Sequence, residues 1–196
     1  MNQIHLLAIS GSLRARSSNT EVLRAVALLA PPPVTVRLYE GLATLPAFNP
    51  DLDEEDMTPP PAVQDLRNLV ANADAIVICS PEYAHGVPGA LKNALDWLVS
   101  VPEVVLKPTV LLNASPRSAH AQASLAETLR TMSMHLVGET LWVVPLADRG
   151  MTSVAIASDP ALADPLRDCL ASLLDAVAHH RQGVASLPTA DDLLRP

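Results

Sequence analysis

The sequence predicts an α/β chain: one parallel sheet of five strands in the order 2-1-3-4-5, with helices on both faces. Three observations lead there. Short apolar runs alternate with segments whose apolar residues recur at helical spacing, giving β-α-β-α-β-α-β-α-β-α. The first and third runs are apolar almost throughout rather than every second residue, as in strands covered on both faces. The loops after those two strands, 10–20 and 81–89, are unlike the rest of the chain in composition. In a sheet of this order they are neighbours at the point where the winding reverses, which is where ligands bind.

Residues 3–9 form the first strand (Ile4, Leu6, Leu7, Ala8, Ile9), and residues 18–30 the first helix, with Val22, Leu23, Val26 and Leu29 on its apolar stripe. Pro31, Pro32 and Pro33 stop it. Residues 34–39 alternate Val34, Val36 and Leu38 with Thr35, Arg37 and Tyr39, as suits a wetter strand at the sheet edge. Residues 41–61 read as a long loop with an acidic run (Asp51, Asp53, Glu54, Glu55, Asp56), taken as solvated surface rather than a metal site. Thr58 caps the next helix with Pro59 at its first position, and Val63, Leu66 and Val70 face inward. Residues 74–80 are a central strand.

A helix over 88–99 then buries Ala90, Leu91, Ala94, Leu95 and Leu98, with Lys92, Asn93 and Asp96 opposite. Trp97 borders the stripe, as core or as an oligomer contact. Residues 108–113 are a strand, and the helix after it carries Leu125, Leu129, Met132 and Leu136 on one face. Residues 139–144 give the last strand and 160–181 the last helix, with Pro165 marking its start. The whole is a flavodoxin-like three-layer sandwich. Residues 1–182 form one domain and 183–196 a loose C-terminal tail.

Composition narrows the function. In 196 residues, 49% are apolar, enough for a packed core. The net charge of −8 argues against nucleic acid or an anionic membrane as partner. No apolar run approaches the ~20 residues of a membrane span. Cys79 and Cys169 are the only cysteines, too few for a disulfide framework, and read as buried reduced thiols. The first apolar run is too short for a signal peptide, so a cytoplasmic protein is expected. His120, His135, His179 and His180 look helical and solvated, and no metal-ligand spacing is present.

The loop after strand one holds Ser12, Arg14, Ser17, Ser18, Asn19 and Thr20. Hydroxyls, an amide and two arginines, Arg14 and Arg16, before a helix suit a phosphate, since helix N-termini attract anions, and Arg14 can reach phosphate oxygens with two parallel bonds. The same residues also fit a plain helix cap, with Ser18 and Glu21 as a capping box. The loop after strand three, Pro81 to Gly89, is a turn with two prolines and two glycines that bears Glu82 and Tyr83. Together they suggest a planar phosphorylated ligand, and FMN fits. No G-x-G-x-x-G or Walker A loop follows strand one.

These motifs resemble the NADPH-dependent FMN reductase family, whose members include chromate, quinone and azo-dye reductases. The resemblance lies in Gly11-Ser12-Leu13-Arg14 with Ser17 and Asn19, in Pro81-Glu82-Tyr83 through Gly86, and in Pro88-Gly89-Ala90-Leu91-Lys92-Asn93-Ala94-Leu95-Asp96-Trp97. Leu45-Pro46 and the acidic loop after it are also similar. The resemblance implies that Ser12, Arg14, Ser17 and Asn19 hold the FMN phosphate. It also implies that Pro81, Glu82, Tyr83, His85 and Gly86 line the isoalloxazine ring, and that Ser115 opens a third loop of the site. That third loop departs from the family's glycine cluster, with Pro116-Arg117-Ser118-Ala119-His120 in its place, and Ala84 stands where Asn is frequent.

The implied activity is FMN-dependent oxidation of NADPH or NADH, with FMN, quinone or a similar small molecule as electron acceptor. No side chain is assigned a catalytic role, because the flavin carries the hydride chemistry. The resemblance also implies a homodimer or homotetramer. Two other readings compete: a flavodoxin-like electron carrier without enzyme activity, and a flavodoxin-like binding or regulatory protein that has lost the flavin.

Overall fold

The computed structural model describes residues 3–54, 56–115, 118–138, 142–146 and 150–185. Its centre is a parallel sheet. β1 (Ile4–Ser10) lies between β2 (Val34–Tyr39) and β3 (Ala75–Cys79), and β4 (Pro108–Asn113) lies beyond β3. The far edge is shared by two short strands, β5 (His135–Leu136) and β6 (Trp142–Val143), both paired with β4. The order β2-β1-β3-β4-β5 is the one expected.

The pleat sends alternate residues to opposite faces, and both faces are buried. Leu7, Ile9, Ile76, Ile78 and Leu111 pack on α2 (Pro61–Ala71), α3 (Gly89–Asp96) and α4 (Ala119–Thr131), through Leu66, Val70, Leu91, Leu95, Leu125 and Leu129. Leu6, Ala8, Val77, Cys79, Val110 and Leu112 pack on α1 (Ser18–Leu29), α5 (Ser153–Ser158) and α6 (Pro160–Ala185), through Val22, Val26, Ile156, Leu166, Leu170 and Val177. This is the three-layer arrangement that continuous apolar strands require. β2 alternates between half-buried and exposed residues until Tyr39, which is buried and covers Gly41.

The structure corrects several expectations. The edge strand begins at His135, not 139. His135 sits opposite Pro108 and Trp142 opposite Leu112, so seven steps along the edge accompany four along β4. The extra residues interrupt the strand; residues 139–141 of the predicted strand lie outside the described residues. Leu136 therefore belongs to β5 and not to the face of α4. α4 ends because Ser133 takes a left-handed conformation (φ 60°), with its N–H on Arg130 O and the Met134 N–H on Leu129 O. A serine there carries no sequence signal for the stop.

α2 begins at Pro61 after Pro60, not at Pro59 after Thr58. α3 is shorter than predicted, because the chain tightens after Asp96. The short helix α5, capped by Thr152, was not predicted. Pro165 lies inside α6, whose first turn is capped by Asp159 at the Ala161 N–H (3.0 Å). α6 runs to Ala185, and residues 186–196 of the expected tail lie outside the described residues.

Cys79 and Cys169 are free and buried, and burial pushes both thiols up to about 12. His120 and His179 are helical and exposed, His180 is helical and half-buried, and His135 is an exposed strand residue.

Two polar anchors hold the long 41–60 connection. Asn93, expected on the solvated face of α3, accepts from the Phe48 N–H (2.7 Å) and donates to Pro46 O (2.9 Å). Trp97 is fully buried and donates from Nε1 to the same Pro46 O (2.9 Å), with Phe48 edge-on at 5.0 Å. Trp97 is therefore core. Asp53 leaves the solvated acidic run: it pairs with Arg67 (2.5 Å), which also donates to Trp97 O and Ser100 Oγ. Lys92 and Asp96 form the expected i,i+4 pair (2.5 Å).

Candidate functional site

At the C-terminal ends of β1, β3 and β4 the connecting loops enclose a cavity of about 770 Å³. The first loop leaves β1 at Gly11, whose N–H bonds Cys79 O on β3 (2.9 Å). A Cβ built on Gly11 would lie 2.3 Å from Ser80 Oγ, 2.9 Å from Ser80 Cβ and 3.1 Å from Leu91 Cδ2. Only glycine lets the first and third loops approach this closely.

Ser10 Oγ accepts from the Ser12 N–H (3.3 Å) and the Thr20 hydroxyl (2.9 Å), which ties the loop's start to the first turn of α1. Thr20, expected among the donors to a ligand, is thus turned to Ser10. Ser17 is the N-cap of α1 and accepts from the Thr20 N–H (3.4 Å). The expected capping box of Ser18 and Glu21 does not form. Glu21 instead accepts from the Ser153 N–H (2.7 Å) and from Arg24 (2.6 Å), joining α1 to α5. Burial pushes the Glu21 carboxyl upward, but the Ser153 and Arg24 donors outweigh it and hold the group below its ordinary value. Asn19 is fixed from below by the Cys79 thiol (3.3 Å).

The second loop follows β3. Tyr83 and Gly86 exchange both backbone bonds (3.1 and 2.9 Å) around Ala84 (φ 49°) and His85 (φ 62°). This is a tight turn with both central residues left-handed, where Asn and Gly are the favoured types. The left-handed conformations fall on Ala84 and His85 and not on Gly86. Glu82 is locked by the Ala121 N–H at the start of α4 (2.9 Å) and lies 3.3 Å from His85 Nδ1. The His85 ring stands edge-on to His120, with centroids 4.4 Å apart. Gln122, buried in α4, donates to Ser80 O (3.1 Å). α4 is therefore pinned to the second loop at two points.

Of the residues singled out in sequence, Ser12, Arg14, Ser17, Asn19, Pro81, Glu82, Tyr83 and Ser115 line this one cavity. His85 and Gly86 do not; the turn carries them past its wall, and three-quarters of the His85 side chain is exposed. Arg16, the other arginine of the first loop, lines it too, and Ser118 and Gly150 line it without having been singled out for it. Arg16 was legible, lying two residues from Arg14 in the same loop. Gly150 was not, because it joins the site only through the docking of α5.

The cavity has two chemically distinct ends. Arg14, Arg16, Ser12, Ser17, Ser18 and Asn19 gather at the start of α1, where the helix dipole favours an anion. Pro81, Glu82 and Tyr83 form the other wall. Such a site can hold a ligand with a phosphate at one end and a flat, partly apolar body.

Comparison with known proteins agrees. Residues 4–148 match the family of NADPH-dependent FMN reductases. An NAD(P)H-dependent FMN reductase of Pseudomonas aeruginosa is 36% identical over 139 residues, covering 68% of this chain and 74% of that protein. A quinone reductase of Escherichia coli is 35% identical over 115 residues, covering 58% of this chain and 61% of its own. In fold, the chain is similar to FerB, a flavoenzyme NAD(P)H:(acceptor) oxidoreductase from Paracoccus denitrificans, with a TM-score of 0.74 at 24% identity, covering 90% of this chain and 98% of that one. With the match spanning β1 through the sheet's far edge and taking in all three loops of the cavity, the chain belongs to the NADPH-dependent FMN reductase family.

Proposed function

We propose that the chain is an FMN-dependent NAD(P)H oxidoreductase, taking hydride from NAD(P)H and passing electrons to FMN, quinone or a similar small acceptor. One observation carries this reading: the cationic, hydroxyl-rich end and the wall of Pro81, Glu82 and Tyr83 share a single cavity of about 770 Å³, within the size range of cofactor sites. Bound FMN supplies the hydride chemistry, and the chain supplies position and electrostatics. Ser12, Arg14, Ser17 and Asn19 take the phosphate. Ser17 accepts the cap bond with its oxygen and keeps its proton to donate. Pro81, Glu82 and Tyr83 flank the ring, with Glu82 held still by α4, and Ser115 closes the third side. His85 and Gly86 support the wall as parts of its turn.

Self-association as a homodimer or homotetramer belongs to the same proposal. Leu13 and Tyr83 are more than half exposed beside the cavity and offer apolar surface for it. So does a cytoplasmic location, which two free buried thiols suit. No helix among the described residues is long and apolar enough to cross a membrane.

Arg14→Ala tests the phosphate assignment. A hydrogen bond to a charged group is worth about 1.5–3 kcal/mol, and an exposed guanidinium belongs at the low end, so FMN affinity should fall roughly tenfold. The fold should be unaffected, because the Arg14 side chain has no hydrogen bond or ion pair among the described residues, only its backbone N–H meeting Ser12 Oγ. Fluorescence quenching of FMN reads the affinity, and unchanged binding would remove Arg14 from the site.

A further inference from the structure

We propose that His85 is a positioning residue outside the cavity that tunes reduction of the bound flavin: its proton offsets the Glu82 carboxylate in the wall, so acid favours reduced over oxidised flavin. The inference rests on the flavin reading above and gives a role to a residue that the cavity excludes.

Glu82 is the one carboxylate among the described lining residues, and its side chain is only 12% exposed. A charge so placed is weakly screened by water and acts on whatever fills the cavity. Its two oxygens have different partners. Oε2 accepts from the Ala121 N–H at 2.9 Å, in the first turn of α4. That partner is backbone and is the same at every pH. Oε1 lies 3.3 Å from His85 Nδ1. That partner is an imidazole, the side chain whose charge ordinarily changes between pH 5 and 8. The left-handed turn at Ala84 and His85 folds the ring back towards Glu82, and three-quarters of the His85 side chain meets solvent. Glu82 is therefore the dry end of the pair and His85 the wet end.

From α4, the His120 ring stands edge-on to His85, with centroids 4.4 Å apart. No other charged or titratable side chain meets these three among the described residues. A proton on His85 thus lies between a carboxylate and a neutral ring, whereas a second proton, on His120, would meet a like charge. The sign of the effect follows. Near neutral pH a flavin ring takes up fewer protons than electrons on reduction and becomes more negative. The Glu82 charge opposes that gain, and a proton on His85 offsets Glu82. Above the histidine range the wall is anionic and holds reduction back. Below it the pair is neutral overall and reduction is easier. By linkage, reducing the flavin also raises the protonated fraction of His85.

The test equilibrates FMN bound to the purified full chain with a reference dye of known potential, between about pH 5 and pH 8. Wild type, His85→Asn and Glu82→Gln are compared, with free FMN as control. Asn tolerates the left-handed region and carries no charge, so His85→Asn keeps the turn. Gln keeps an acceptor for the Ala121 N–H and loses the charge. Circular dichroism and flavin content check both variants. His85 is exposed, so its effect is that of a screened pair: about three- to fivefold in the ratio of reduced to oxidised flavin affinity. For a two-electron couple that is roughly 15–20 mV. Wild type and His85→Asn should coincide at pH 8, and wild type should lie higher by that amount at pH 5. Glu82→Gln should lie above wild type at pH 8. If wild type and His85→Asn run parallel or coincide over the whole range, His85 does not act through its proton and the inference fails alone. If Glu82→Gln matches wild type at pH 8, the Glu82 charge does not reach the flavin, and the inference fails while flavin binding stands. If wild type binds no FMN, the flavin reading fails first and the inference goes with it.

Discussion

Gly11→Ala is expected to destabilise the chain by about 1–3 kcal/mol, the usual cost of forcing extra volume into a packed site, and to abolish flavin binding at the same time. The cause is local. The added Cβ would stand 2.9 Å from Ser80 Cβ, and neither atom has a torsion of its own with which to escape. Relief has to come from β1 and β3 moving apart where Gly11 N–H meets Cys79 O. That movement separates Arg14 and Asn19 from Pro81 and Glu82, so both ends of the cavity lose their relative placement. Ser80→Gly removes both of the nearest contacting atoms. The double variant should therefore recover most of the lost stability, apart from about 0.5–1 kcal/mol for a second glycine. Urea unfolding of the four proteins measures the coupling. Additive losses in the double variant would show that the Ser80 contact is not what constrains position 11.

Trp97→Ala should cost about 3–5 kcal/mol, the range for removing a large buried aromatic. At 2–4 °C per kcal/mol for a chain of this size, the melting temperature should fall by roughly 10 °C. The ring is fully buried, and its Nε1 shares Pro46 O with Asn93. Losing it leaves a cavity beneath the 45–48 segment and removes one of the three hydrogen bonds that tie that segment to Asn93 and Trp97. Trp97→Phe keeps most of the apolar volume and loses only the Nε1 bond, so its cost should be nearer 1 kcal/mol. Thermal unfolding of both variants separates packing from hydrogen bonding. If Trp97→Ala instead left stability unchanged and altered the sedimentation of the protein, the residue would be an oligomer contact and not core.

Most of the fold was legible because its signals are local. Continuous apolar runs marked β1 and β3, the run 31–33 of prolines ended α1, and helical spacing marked α2 and α3. What escaped depends on contacts between distant residues. Ser133 ends α4 in a left-handed conformation that the sequence assigns to glycine. The far edge strand is split because its register against β4 changes part-way, which no stretch of one strand encodes. Asn93 looked like a solvated helix residue and proved to hold the Pro46–Phe48 segment, since its partners lie more than 40 residues away. Asp53 looked like one of a surface run until Arg67 claimed it.

The cavity was legible for a related reason. A sheet wound in this order brings the first and third loops together, so residues from 12–19 and 81–83 could be paired before any distance was known. Three details depended on backbone geometry instead. The turn at Ala84 and His85 carries His85 and Gly86 off the wall, Glu21 serves α5 rather than the cap of α1, and Gly150 enters from beyond β6.

In the proposed function, this cavity holds FMN and the holoprotein oxidises NAD(P)H. Titrating FMN into the purified chain while following NADPH absorbance with a quinone present tests it in one experiment. The expected result is saturable flavin binding of one FMN per chain, NADPH oxidation that rises with flavin occupancy, and loss of both in Gly11→Ala. Bound flavin that NADPH fails to reduce would contradict the reductase reading and favour an electron carrier. No flavin binding at all would contradict the assignment of the cavity itself.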